Sequence, residues 1–221
     1  MVRAWTWILV LGWLGVAGVA RADSEEVTLH VEAGPAMVRG EAPVFSSDVT
    51  TRPGGAGSVR LTYGLTDLFA AEVSLGGAAA EALEYSMQDG GDLGVGTSHF
   101  DLRALRVTAG MTARFGARWI PTATVAAGYQ HRLLTGGMLI DDERVLVDYL
   151  PTESSSDLLV MAGVGLEYRI DRHFIVGLSA QLVHAFALGG KAFDGVEIPL
   201  RVSYSWYPGW FKKQTRERLD D

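Results

Sequence analysis

Eight stretches of this chain alternate apolar and polar residues, and this pattern constrains the fold more than any other feature. Successive side chains of an extended strand point to opposite faces, so each stretch predicts a β-strand with one apolar and one polar face. Eight such strands can close into a barrel that leaves no edge unpaired. The predicted strands are 26–39, 57–64, 67–78, 100–115, 118–134, 157–170, 173–186 and 194–207.

Alternation is especially clear in stretch 157–170. Every even position from Leu158 to Ile170 is apolar, whereas the odd positions include Glu167 and Arg169. Most of the stretches exceed the five or six residues that are usual in globular proteins. They match the roughly ten tilted residues with which a β-strand crosses a bilayer.

The connections between the strands alternate in length. Gly64–Asp67, Gly116-Ala117 and Asp171-Arg172 are short turns, whereas the links at 40–56, 79–99, 135–156 and 187–193 are longer. Short turns on one rim and long loops on the other are typical of transmembrane barrels. Aromatic residues near the short turns predict a belt at one membrane interface: Tyr63, Phe69, Phe115, Trp119, Tyr168, Phe174, Trp206, Tyr207 and Trp210.

The first 22 residues have the organisation of a cleaved signal peptide. Arg3 precedes an apolar run from Trp5 to Ala20, and Ala20-Arg21-Ala22 supplies a small-x-small cleavage site. The alternative is a retained membrane anchor, which the shortness of the run and its three glycines disfavour. The predicted organisation is a signal peptide at 1–22, a β-barrel at 23–208 and a short charged periplasmic tail at 209–221.

The charge balance and the absence of cysteine exclude several classes of protein. The chain has 26 acidic and 19 basic residues, and cleavage after Ala22 would remove two of the arginines. A net charge of −9 then remains, which argues against nucleic acid as a partner. Without cysteine, neither a disulfide framework nor a thiolate metal site is possible.

In layout, the whole mature chain resembles the small eight-stranded outer-membrane barrels of the OmpA transmembrane-domain, OmpX and OmpW type. The resemblance implies an all-β antiparallel transmembrane barrel in the outer membrane of a Gram-negative cell, with its short turns in the periplasm. It also implies barrel-assembly machinery and periplasmic chaperones as partners during export, and outer-membrane lipid or lipopolysaccharide afterwards. Two features depart from the family: a charged tail follows the last strand, and Pro199 lies inside that strand, predicting a bulge.

Many charged side chains fall on the predicted inner face, where His30 would join them. Because an eight-stranded barrel is about filled by its own side chains, we expect an internal network of ion pairs. The alternative is a polar conduit that favours anions, since arginine outnumbers glutamate in this set. The predicted lumen residues are Glu32, Arg60, Glu72, Arg106, Arg114, Arg132, Glu167, Arg169, Glu197 and Arg201.

The second and third long links are acidic. A solvated loop surface is the simpler interpretation. Carboxylates could also hold divalent cations that bridge to lipopolysaccharide phosphates, although the spacing of a calcium loop is missing. Apolar segments 138–140 and 145–147 predict a hairpin that extends the fifth and sixth strands, and its edge could pair with a partner strand. The acidic residues are Glu81, Glu84, Asp89, Asp92, Asp141, Asp142, Glu143, Asp148 and Glu153.

No pattern of residues predicts catalysis or a cofactor. The five histidines (His30, His99, His131, His173 and His184) are scattered, without metal-ligand spacing, and no Gly-x-Ser-x-Gly occurs. We therefore expect a non-enzymatic barrel with a structural, envelope-integrity or surface-interaction role. A narrow channel for small or hydrophobic solutes is the first alternative. A soluble periplasmic lipocalin-like binder, with its apolar faces turned inward, is the second.

Overall fold

The computed structural model describes residues 25–41, 48–51, 53–86, 96–140, 146–149, 152–187 and 193–208. The predicted signal peptide and the tail lie outside these ranges. None of the described residues forms a helix long and apolar enough to cross a bilayer. The strands are β1 (Val27–Glu41), β2 (Asp48–Thr51), β3 (Gly54–Gly64), β4 (Phe69–Ser86), β5 (Gly96–Arg114), β6 (Trp119–Ile140), β7 (Leu146–Tyr149), β8 (Glu153–Arg169), β9 (Phe174–Ala187), β10 (Phe193–Glu197) and β11 (Leu200–Trp206).

These strands form a closed antiparallel barrel with eight positions. Two consecutive segments share one position in three cases: β2 with β3, β7 with β8, and β10 with β11. Closure occurs at β1, which pairs with β3 on one side and with β11 and β10 on the other. The predicted eight-stranded antiparallel barrel is therefore confirmed.

The two ends of the barrel differ. We call the end with turns 65–68, 115–118 and 170–173 the short-turn end, and the opposite end the long-loop end. A path that steps from each residue to its registered partner on the next strand moves toward the long-loop end. It returns to β1 ten residues beyond the residue at which it started. This stagger tilts the strands against the barrel axis, typically by about 35–45°. The path runs Val27, Tyr63, Ala71, Met111, Val125, Ala162, Leu182, Val196, Met37.

Large apolar side chains face outward, and polar side chains face the lumen. Leu200 is 66% exposed, whereas its neighbour Arg201 is 4% exposed. A continuous apolar exterior around a charged interior is stable in lipid and unfavourable in water. The lipocalin-like alternative is therefore wrong, because it requires the apolar faces to point inward.

The predicted links at the long-loop end are too long. Strand β4 continues to Ser86, β5 begins at Gly96, and β2 lies within the predicted link 40–56. Residues 76–80 are all glycine or alanine, so the alternation of side chains is lost there although the ladder continues, with Gly55 paired to Ala79. Hydrogen-bonded strand pairing therefore continues beyond the residues at which apolar and polar side chains alternate.

Of two local predictions, one is confirmed and one is wrong. The hairpin that extends the barrel forms between β6 and β7, where Met138 pairs with Tyr149 and Leu139 with Asp148. Residues 141–145 lie outside the described ranges. At Pro199 the last strand is interrupted, since β10 ends at Glu197 and β11 begins at Leu200. The predicted bulge is wrong, because Glu197 pairs with Ala36 and Leu200 with Ala33, so the register does not shift across Pro199. Proline has no N–H to donate to the ladder, which explains this break.

Candidate functional site

Charged side chains fill the lumen near the short-turn end. The alternation of each strand aims them inward, as in β1, where Thr28, His30 and Glu32 are all buried. Seven of the eight charged residues in this region are fully buried, and Arg169 is half-buried. We call this set the charged layer: Glu26, Glu32, Glu72, Glu167, Arg60, Arg114, Arg169 and Arg201.

Ion pairs link five members of the charged layer across five strands. The Nη1 atom of Arg60 lies 3.2 Å from Oε2 of Glu72, and its Nη2 lies 3.2 Å from Oε2 of Glu32. The other oxygen of Glu32 is 2.6 Å from Nε of Arg201. The guanidinium of Arg201 also contacts Glu167. Arg60, Glu32 and Arg201 each therefore have two partners of opposite charge.

The series continues to the edge of the lumen. Arg114 lies 3.2 Å from Glu167 and 3.7 Å from Glu26. Nη2 of Arg169 donates to both oxygens of Glu26 at 3.0 Å. Acid and arginine thus alternate through eight residues, four of each sign. Buried charges are tolerated when they are paired in this way.

Neutral side chains supply further hydrogen bonds to the charged layer. Ser58 donates to Oε2 of Glu32 at 2.9 Å, and Gln181 donates to the same oxygen at 3.3 Å. His30 lies between two hydroxyl groups, 2.7 Å from Ser203 and 3.1 Å from Thr62. These contacts satisfy buried polar groups that ion pairing alone would leave without a partner.

Closer to the long-loop end, the lumen is lined differently. Two separate ion pairs remain, Arg106 with Glu197 and Arg132 with Asp157. A small cavity of about 30 Å³ lies among inward-facing alanines and these pairs. The rest of the inner wall carries an apolar cluster: Leu102, Ala126, Leu159, Met161, Val183 and Ala185, with Val38 packed against it.

All ten lumen residues predicted from the sequence lie on the inner face. The structure divides them, because Arg106, Arg132 and Glu197 form pairs apart from the charged layer. Sequence reasoning missed Glu26 and Asp157, although each lies an even number of residues from an inward-facing glutamate of the same predicted strand. With these two included, six carboxylates face six arginines among the described residues, and the predicted excess of arginine disappears.

Aromatic side chains cluster at the short-turn end. The rings of Trp119 and Tyr168 lie 4.7 Å apart, and those of Phe174 and Tyr204 lie 5.3 Å apart. Arg118 lies over the ring of Tyr168 at 5.3 Å. These positions fit a belt at a membrane interface. Trp210, predicted as part of that belt, lies outside the described residues.

The histidines are dispersed through the described part of the chain. His30 is in the lumen, His173 in the 170–173 turn, and His131 and His184 on the outer surface. The side chain of His99 lies outside the described residues. No three His, Cys, Asp or Glu side chains that the structure describes are grouped closely enough to hold a metal ion.

A closed barrel with an apolar exterior, an aromatic belt and a charged lumen defines an integral outer-membrane protein. The chain belongs to the outer membrane protein beta-barrel domain family, whose profile matches residues 8–205. It is therefore a protein of the outer membrane. In barrels of this class the short turns face the periplasm and the long loops face the exterior.

Solved structures show the same fold at low sequence identity. OprG from Pseudomonas aeruginosa is 13% identical, with a TM-score of 0.53, over 86% of this chain and 100% of that chain. Neisserial surface protein A is 10% identical, with a TM-score of 0.51, over 80% and 97%. The outer membrane protease OmpT from Escherichia coli is 7% identical, with a TM-score of 0.52, over 86% and 100%. No curated protein matches the chain in sequence.

Proposed function

We propose that this protein is a sealed, non-enzymatic barrel that supports envelope integrity and presents loops for surface interaction. The charged layer is the observation that carries the proposal. It fills the short-turn half of the lumen with eight alternating charges, most of which contact two partners. An eight-stranded barrel is just wide enough for its own side chains, so little space remains for a conduit.

Energetics support a closed lumen. An ion that crosses the barrel would have to separate buried pairs such as Glu32–Arg201 and Glu167–Arg114. Breaking one buried pair costs about 3–5 kcal/mol, because it leaves a charge without a partner. A rigid, closed scaffold of this kind leaves specificity to the exposed loops. Pairing of β6 with β7 adds a hairpin at the loop end, which supports a surface role.

Conductance in a planar bilayer tests the proposal. We expect no steady single-channel steps from the pure wild-type protein. The double variant Glu32→Ala/Arg201→Ala removes one acid and one arginine from the charged layer. Glu167 retains Arg114 and Arg60 retains Glu72, so the remaining charges stay paired. This variant is expected to conduct, because two long side chains no longer fill the lumen.

The pair Arg106–Glu197 provides a matched control. Arg106→Ala/Glu197→Ala also removes one buried pair, but it leaves the charged layer intact. We expect this variant to remain closed. Steady steps from the wild-type protein would overturn the proposal, provided that a boiling-dependent gel shift shows a folded barrel.

A second function, a narrow pathway for small or hydrophobic solutes, is favoured by one observation. The apolar cluster covers part of the inner wall near the long-loop end, where Leu159 is 1% and Val183 is 6% exposed. Uptake of an apolar solute by cells that express the protein tests this function. If the pathway exists, Val183→Arg reduces uptake, whereas a lipid-facing change such as Leu182→Arg at the long-loop half reduces it less.

A further inference from the structure

A long furrow crosses the outer surface of the barrel. It has a volume of about 1210 Å³ and lies between two rows of outward-facing side chains on six neighbouring strand positions. Its lower wall runs along the registered row from Met37 to Met111. Backbone atoms form its floor, because the side chains between the two rows point into the lumen. Its upper wall is the row Asp194, His184, Val160, Ala127 and Ala109.

The furrow has the length and slope of a lipid chain in one leaflet. Five steps between strands that lie about 4.8 Å apart give a length of roughly 24 Å. With strands tilted by about 40°, the furrow rises by roughly 15 Å. That rise equals about half of the ~30 Å hydrocarbon core of a bilayer. The furrow therefore spans a single leaflet.

Its position selects the outer leaflet. Ala109 lies five residues from the short-turn end of β5 at Arg114, whereas Asp194 lies twelve residues from the end of β11 at Trp206. The furrow thus begins near mid-height and ends close to the long-loop rim. Small side chains deepen it along the way, since Ala109, Ala127 and Ala162 line its walls.

Polar groups and an aromatic ring mark the upper end of the furrow. His184 and Asp194 face the lipid side and are joined by a hydrogen bond of 2.5 Å between Nδ1 and Oδ1. Their side chains are 38% and 70% exposed. The ring of Phe186 stands edge-on to His184 at 4.4 Å. A carboxylate accepts hydrogen bonds from hydroxyl and amide groups, and an aromatic ring covers the apolar face of a sugar.

From this geometry we infer that the furrow binds one acyl chain of lipid A, with the acylated glucosamine held against His184, Asp194 and Phe186. In lipid A, the acyl chains are joined to glucosamine through ester and amide groups, and the amide N–H and free hydroxyl groups can donate hydrogen bonds to Asp194. In a phospholipid the acyl chains join a glycerol through ester groups, which have no hydrogen to donate to Asp194 and present no sugar ring to Phe186. The hydrogen-bond acceptor and the aromatic ring at the upper end therefore favour the glycolipid. The furrow lies outside the barrel, so this site does not depend on whether the lumen conducts.

Native mass spectrometry of the detergent-solubilised barrel tests the site, with purified lipid A and phosphatidylethanolamine as separate probes. Ala127→Leu and Ala162→Leu each fill the furrow. We expect either change to weaken lipid A retention about tenfold, the affinity carried by roughly two buried methylene groups. Asp194→Asn is expected to weaken lipid A retention, because a neutral amide accepts hydrogen bonds less strongly than a carboxylate, and to change that of phosphatidylethanolamine less.

Ala123→Leu is the matched control. Ala123 is an exposed, outward-facing residue of the same strand as Ala127, and it does not line the furrow. This variant should retain lipid A as the wild-type protein does, and a boiling-dependent gel shift shows which variants fold. Unchanged retention in both furrow-filling variants would falsify the site. Equal retention of the two lipids, insensitive to Asp194→Asn, overturns the choice of lipid A.

Discussion

The two halves of the lumen differ in how their buried side chains are stabilised. In the short-turn half, eight charged residues contact one another in an alternating series, and Arg60, Arg114 and Arg201 each bridge two acids. In the long-loop half, two ion pairs stand apart from each other among apolar and small side chains. The first half depends on mutual pairing and the second on local packing.

Single strands carry both arrangements. Along β8 the inward residues change from Glu167 through Gly165 and Gly163 to Met161 and Leu159. Glu167 is 2% exposed, and Leu159 is 1% exposed. One strand therefore contributes polar side chains to the short-turn half of the lumen and apolar side chains to the long-loop half. Breaking one pair in the charged layer should disturb its neighbours, whereas a change in the other half should stay local.

Arg201→Ala is expected to have the largest effect on stability. The change leaves Glu32 and Glu167 buried, each without one of its arginine partners. Loss of one partner from a buried pair typically costs about 3–5 kcal/mol. Urea unfolding of the protein folded into lipid vesicles, followed by tryptophan fluorescence, measures the loss.

Arg106→Ala tests whether an isolated ion pair contributes less to stability than the connected pairs of the charged layer. Arg106 is also buried, but its single carboxylate partner in the described structure is Glu197. We expect a smaller loss of unfolding free energy than for Arg201→Ala. Equal losses in the two variants would mean that the charged layer behaves as independent pairs.

Alternation alone predicts which residues face the lumen. It assigns Glu32, Arg60 and Arg201 to the inside. The same alternation covers Glu26 and Asp157, the first residues of the predicted strands 26–39 and 157–170. The observed register shifts, such as that between His99 and Asp101, lie toward the long-loop end of their strands. They therefore do not change which residues of the charged layer face the lumen.

Partners across the barrel could not be predicted in this way. Period-two alternation says nothing about register between strands, and register decides that Arg60 meets both Glu32 and Glu72. The outer furrow depends on register too, because its walls come from residues distant in sequence. The continuation of β4 through residues 76–80 could not be predicted either, because glycine and alanine give no apolar and polar alternation.

Leu159→Ala tests the packing in the long-loop half. Leu159 is 1% exposed and belongs to the apolar cluster. We expect a loss of about 2 kcal/mol in unfolding free energy, at the low end for a buried leucine, because the neighbouring side chains are small. Its neighbour Leu158 faces the lipid and is 53% exposed. Leu158→Ala should cost less, since lipid chains can occupy the vacated space; the reverse order would contradict the assigned faces.

Gly128→Ala tests how closely the strands approach in the same half. A Cβ at this position would overlap the carbonyl oxygen of Val107 and lie 2.7 Å from Cα of Thr108. Backbone atoms cannot move aside cheaply, so we expect a loss of about 1–2 kcal/mol in the same unfolding assay. Gly55 is the control, because the nearest atom to a Cβ there is 3.9 Å away. Gly55→Ala should leave stability unchanged or raise it slightly.

The smallest expected effect lies outside both halves of the lumen, at the turn between β8 and β9. Asp171 accepts hydrogen bonds from the N–H groups of His173 at 2.7 Å and Phe174 at 2.8 Å. These bonds, that from His173 first, lower the pKa of the Asp171 carboxyl below its ordinary value. A carboxyl whose pKa is lower in the folded state stabilises the protein above its unfolded-state pKa. That contribution is lost as the pH falls through the folded-state pKa.

Asp171→Ala should therefore lower stability slightly at neutral pH, and the difference from the wild-type protein should shrink in acid. Unfolding free energies of both proteins, measured from pH 7 down to about pH 3, check this. Because Asp171 is fully exposed and separate from the charged layer, its effect should add to that of Arg201→Ala in the double variant. A difference that stays constant with pH would show that the turn depends on the shape of the side chain rather than on its charge.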